Sequence, residues 1–197
     1  MTAYLQSSEV VDADHPAVRE RVRAISQGCA TDVEVARACF EFVRDRIQHS
    51  VDFERGPVTC RASDVLAHGT GYCYAKSHLL AALLRANNIP AGFCYQRLSV
   101  GEKGPPFCLH GLNAVHLKEF GWYRIDARGN KPGVDAAFTP PVERLAFSVG
   151  VDETDLPGVT AEPLPVVVRA LMRHTRWDEL LRDLPDVDPT EWSSDGA

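Results

Sequence analysis

The sequence predicts an α+β domain: N-terminal helices and one buried central helix packed on an antiparallel sheet. Three observations predict it. Up to Pro90 the apolar residues recur at helical period, and after Pro90 they alternate in short runs divided by glycine. Between them, Cys73 to Leu84 is apolar around much of its circumference, as a helix at the centre of a domain must be. Helices first and antiparallel strands after is the α+β order.

Each element has its own signal. Asp14 can cap a first helix, with Pro16 in its first turn, Val18, Val22 and Ile25 on one face, and Gly28 ending it. Thr31-Asp32-Val33-Glu34 reads as a capping box opening a second helix, with Val35, Ala38, Cys39, Phe42, Val43 and Ile47 as its apolar stripe. Gln48 to Thr59 reads as a loop turning at Gly56-Pro57, and Arg61–Ala67 as a short helix leading to His68-Gly69-Thr70-Gly71. The central helix starts near Cys73 and stops at Asn87-Asn88 and Pro90. Strands follow over Ala91–Leu98, Cys108–Lys118 and Gly121–Asp126, with Gly121 at the turn joining the last two. The Gly- and Pro-rich connection 99–106 is of a kind that overhangs sites. Residues 132–160 read as irregular, 163–184 as a C-terminal helical region, and the polar tail from Asp186 as frayed.

Composition excludes several classes. At 197 residues the chain suits one packed domain, so 1–197 is taken as a single unit. A net charge of −6 with no basic run speaks against nucleic acid or an anionic membrane surface. No apolar stretch approaches the ~18 residues of a membrane span. The N-terminus lacks a basic start and apolar core, so a cytoplasmic location is expected. None of the six cysteines forms a Cys-x-x-Cys pair, and five of them read as reduced small hydrophobes. Without a phosphate loop, dinucleotide fingerprint or metal-ligand spacing, neither cofactor nor metal is expected.

The sixth cysteine differs by its place. Cys73 falls in the first turn of the apolar helix, after Gly69 and Gly71. Unpaired amides at a helix start carry roughly half a positive charge, which favours the nucleophilic thiolate. The Cys73 amide can also point at a developing oxyanion. His110 lies on a strand beside Gly111, and Asp126 ends the next strand. With a turn near Phe120-Gly121, the pairing brings Asp126 beside residues 110–112, within reach of an imidazole. Cysteine, histidine and aspartate are the set for acyl transfer through a thioester. His116 pairs nearer the turn and reads as structural, His78 points away from the helix start, and His68 is a candidate for the pocket mouth.

At these residues the chain resembles the transglutaminase-like superfamily, whose core is shared with papain-type cysteine proteases. The resemblance is carried by Gly71-Tyr72-Cys73, by Leu83-Leu84-Arg85 leading to Ile89-Pro90-Ala91, by His110-Gly111-Leu112-Asn113-Ala114-Val115, and by Gly121-Trp122-Tyr123-Arg124-Ile125-Asp126. It covers about residues 60 to 130 and implies a small stand-alone member with Cys73 as nucleophile, His110 as base and Asp126 orienting His110. Leu112 stands where the family has tryptophan and Ala114 where an acidic residue is common, so substrate preference does not carry over. A second oxyanion donor is unassigned, with Gln48 a candidate by its amide chemistry alone.

The expected activity is a thiol enzyme acting on an amide, ester or thioester in a protein, peptide or small amide substrate. Hydrolysis is the first reading, and transfer to an amine is the alternative. A non-catalytic binding module that keeps the fold is the second alternative. The sequence leaves the oligomeric state open.

Overall fold

The computed structural model describes residues 1–101 and 103–188. Six α-helices lie in this span: α1 Pro16–Ile25, α2 Asp32–Arg46, α3 Ala62–His68, α4 Cys73–Ala86, α5 Pro165–Arg173 and α6 Trp177–Leu181. Six strands accompany them: β1 Gln48–His49, β2 Thr70–Gly71, β3 Ala91–Ser99, β4 Phe107–Leu117, β5 Gly121–Ile125 and β6 Thr154–Asp155. The main sheet is antiparallel in the order β5-β4-β3-β6, and β1 and β2 form a separate parallel pair.

Local chemistry accounts for most boundaries. Thr31 accepts the Glu34 amide while Glu34 reaches back to the Thr31 amide, so α2 opens with the expected capping box. The start of α1 differs from expectation. His15 is the N-cap, its Nδ1 accepting the Ala17 amide, while Asp14 accepts the Ser7 hydroxyl. The imidazole nitrogen supplies the acceptor that a carboxylate would have offered. Gly69 closes α3 in the left-handed conformation at φ 64°, and Asn87 caps α4.

α4 is the axis of the domain: every residue from Cys73 to Arg85 is buried. It packs against α1, α2 and α3 on one side and β3 and β4 on the other. Arg85 stays charged there because the carbonyls of Ala91, Gln6 and Ala161 accept its guanidinium protons. This explains how an arginine is tolerated near the end of a buried helix. On β4, Leu109, Val115 and Leu117 join the main core, while Leu112 and Ala114 form a smaller cluster with Cys94.

Three local readings are corrected. The 48–59 segment contains β1, too short to leave a periodic signal. The C-terminal region is two helices, since His174 takes an extended conformation after α5. The chain at Asp186 is anchored by an ion pair to Arg97, and the expected tail beyond Asp188 lies outside the described residues.

Candidate active site

The backbone around Cys73 is held by its neighbours in space. β2 lies parallel to β1, with the Gln48 amide donating to Gly69 and the Ser50 amide to Gly71. A Cβ on Gly71 would sit 3.1 Å from both Ala75 Cβ and Thr59 Oγ1, so a larger residue at the turn into α4 would press on both. Tyr72 is the N-cap and supplies no side-chain cap, so no side chain competes for the first amides of α4. Cys73 is 8% exposed, enclosed yet reachable.

Gly111 brings the strand to the helix start. A Cβ there would lie 3.0 Å from Tyr74 Cδ1 and 3.3 Å from Tyr74 Cα. The Tyr74 hydroxyl donates to the Leu109 carbonyl and ties β4 to α4 on the other side of His110. His110 lines the same cavity as Cys73, close enough for the sulfur to act on its charge. Its Nε2 meets Asp126 Oδ2 at 2.8 Å, and Phe147 covers the ring edge-on at 4.9 Å. Asn113 faces Ile125 in the β4–β5 ladder, which leaves Asp126 one step past the last pair and beside the imidazole.

Asp126 is fully enclosed and meets only donors: His110 Nε2, the Ala146 amide at 3.0 Å and the Arg128 amide at 3.1 Å. Burial pushes its carboxyl toward the neutral form, but the imidazolium and these hydrogen bonds outweigh it and hold the pKa below the usual range. For His110 burial also opposes charge. The Asp126 carboxylate and the Cys73 sulfur overcome it and raise the imidazole pKa to about 10. The charged imidazolium is the favoured form of this enclosed ring.

A cavity of about 570 Å³ opens over Cys73 and His110. Its walls come from segments far apart in sequence: His49 and Asp52, Ser99 to Gly101, Ala146 to Ser148, and Leu181 with Leu184. The 99–101 part of the Gly- and Pro-rich connection thus borders the site. At one end Arg128 grips Asp52 through two hydrogen bonds of 2.6 and 3.0 Å, and Lys131 adds a third at 2.6 Å. Burial would raise the Asp52 carboxyl, yet these cations hold it far below the usual range. His49 Nδ1 lies 3.6 Å from Asp52 without a hydrogen bond. Burial, reinforced by the Arg128 charge, keeps its imidazole neutral. The sequence reading missed this group, because Asp52 and Arg128 are 76 residues apart and no local pattern links them.

Other candidates fall elsewhere. Gln48 accepts from Arg55 and borders a different cleft, so it is not placed as an oxyanion donor. His68 is exposed at the end of α3 and does not line the cavity. His78 is buried in α4 with Nδ1 on the Cys60 carbonyl, and His116 packs edge-on against Trp122. All six cysteines are free. Among the described residues, no cluster of three or more His, Cys, Asp or Glu side chains could hold a metal, and no helix is long and apolar enough to cross a membrane.

Comparison with known proteins bears on this arrangement. A solved structure from Cytophaga hutchinsonii, named provisionally as a cysteine protease, superposes with a TM-score of 0.51 at 18% identity, covering 64% of this chain and 40% of that one. The periplasmic domain of TgpA from Pseudomonas aeruginosa gives a TM-score of 0.48 at 20% identity, covering 63% and 45%. The chain thus spans less than half the length of either. No curated protein matches it. The family model described as the transglutaminase-like superfamily matches residues 19–127, more than half of the 197 residues. On that match, from α1 to the residue after Asp126, the chain belongs to the transglutaminase-like superfamily.

Proposed function

We propose that this chain is a thiol-dependent acyl-transfer enzyme with Cys73 as nucleophile, His110 as acid and base, and Asp126 as the group that orients His110. The observation that carries the reading is the enclosed His110, hydrogen-bonded to Asp126 at 2.8 Å and lining one cavity with Cys73. Fold membership alone would not carry it, since one fold hosts many functions.

His110 takes the Cys73 proton, and the sulfur attacks the carbonyl carbon of an amide or ester. The carbonyl π electrons move to oxygen, where the uncapped Cys73 amide can donate to the anion. Collapse breaks the bond to the leaving nitrogen or oxygen, which takes the proton from His110, and an acyl-thioester remains on Cys73. Water then gives its proton to His110, attacks the thioester and releases an acid and the thiol. An amine in place of water gives a new amide. Hydrolysis is the reading we adopt, because the cavity is open enough to be lined by charged and hydroxyl side chains that water can wet.

The test is the pH dependence of Cys73 alkylation by iodoacetamide in wild type and His110→Ala. Labelling of Cys73 that outpaces the other buried cysteines at about pH 7, lost in the variant, is the expected result. A Cys73 that reacts like the other five cysteines, or not at all, overturns the enzyme reading in favour of a binding module.

A further inference from the structure

β4 is longer than the partner on its outer side. β5 pairs only with Asn113–Leu117, so the half of β4 that carries His110 has an edge that the sheet leaves open. An open strand edge beside a nucleophile is where an extended peptide would add as a further strand. Leu109 turns both its main-chain groups to that edge, and both are already used. Its amide donates to the Pro185 carbonyl at 2.8 Å, and its carbonyl accepts the Tyr74 hydroxyl.

The segment that supplies Pro185 is firmly held. Asp186 receives Arg97 Nε and Nη2 at 2.8 and 2.7 Å, and Pro185 is buried. At its other end the Trp177 carbonyl accepts the Tyr72 hydroxyl at 2.5 Å, one residue from Cys73. Between these anchors Leu181 and Leu184 turn into the cavity that contains Cys73 and His110. The remaining volume of about 570 Å³ lies within the ~300–1,000 Å³ of small-molecule sites.

We propose that residues 177–186 occupy the place of an incoming strand, so that the cleft accepts a small acyl compound and excludes the interior of an extended polypeptide. The inference rests on the thiol-enzyme reading and names its substrate class.

The experiment compares two reagents with one electrophile: free chloroacetamide, and an extended peptide of roughly ten residues carrying chloroacetamide at its centre. Labelling of Cys73 is followed by peptide mass spectrometry in wild type and Asp186→Ala. In wild type the small reagent is expected to react at least about tenfold faster, a barrier difference of about 1.4 kcal/mol. Asp186→Ala is expected to narrow that ratio by about threefold or more, with loss of hydrogen-exchange protection at the Leu109 amide. Equal rates in wild type overturn the inference while leaving Cys73 reactive and the enzyme reading standing. A ratio unchanged in the variant although the Leu109 amide has opened also overturns it. If neither reagent labels Cys73, the thiol reading itself fails and this inference falls with it.

Discussion

His110 Nε2 lies 2.8 Å from Asp126 Oδ2 with both side chains enclosed, and the amides of Ala146 and Arg128 fill the remaining faces of the carboxylate. The carboxylate therefore has donors on every side. An asparagine in its place must turn its NH₂ group toward one of them. Asp126→Asn is expected to lower kcat by orders of magnitude with KM little changed, because the imidazolium loses its counter-charge. It is also expected to lose about 1–3 kcal/mol of stability from the donor-to-donor clash. Steady-state kinetics and urea melts check the two halves separately, and a variant with wild-type kcat would remove Asp126 from the mechanism.

Burial pushes the thiols of Cys39, Cys60, Cys94 and Cys108 up to about 12. At about pH 7 these remain almost wholly protonated and inert. Limiting iodoacetamide is expected to label Cys73 ahead of these four, and Cys73→Ala to abolish that fast phase together with turnover. The same variant is expected to melt within a few degrees of wild type, since alanine suits the first turn of a helix. Loss of the fold would mean a core cysteine instead.

Gly111 meets the backbone of Tyr74, and a backbone atom cannot swing aside as a ring can. Gly111→Ala is expected to push β4 from the start of α4 and spread His110 from Cys73. A displacement of about 1 Å costs as much as ~10²-fold in rate, and the few tenths of an ångström needed here should cost a smaller part of that, with about 1–3 kcal/mol of overpacking. Alkylation of Cys73 in this variant should follow the pH profile of His110→Ala. A profile like wild type would show that this close approach does not set the pair.

His78 is held neutral by burial, its pKa lowered to about 4. Between about 4 and the ordinary 6.5 the unfolded chain binds a proton that the folded chain does not, so falling pH favours unfolding. The contribution is whole above 6.5 and is lost as the pH drops to about 4, an amount of about 3 kcal/mol. His78→Asn keeps a donor for the Cys60 carbonyl but cannot titrate. Denaturant melts at about pH 7 and about pH 4.5 should show a smaller acid loss in the variant than in wild type. An equal loss in both would assign the acid sensitivity to other groups.

Much of the architecture was legible because it is written in local periods. The capping box at Thr31, the apolar circumference of α4, the alternation in β4 and the turn at Gly121 each act within a few residues. Together they placed Cys73 at a helix start and Asp126 beside His110. The α1 cap escaped because an imidazole nitrogen can do the work of a carboxylate, and β1 because two residues carry no period.

What the chain order alone determined is the sequence of helices and strands and the placing of a cysteine at the start of α4, a histidine on β4 and an aspartate just past β5. Tertiary structure decided the rest: the Arg128–Asp52 grip at one end of the cavity, the neutral His49 beside it, and Pro185 on the outer edge of Leu109. Each joins groups more than 45 residues apart or depends on a desolvated neighbour, and neither separation nor desolvation leaves a trace in the local pattern of residues.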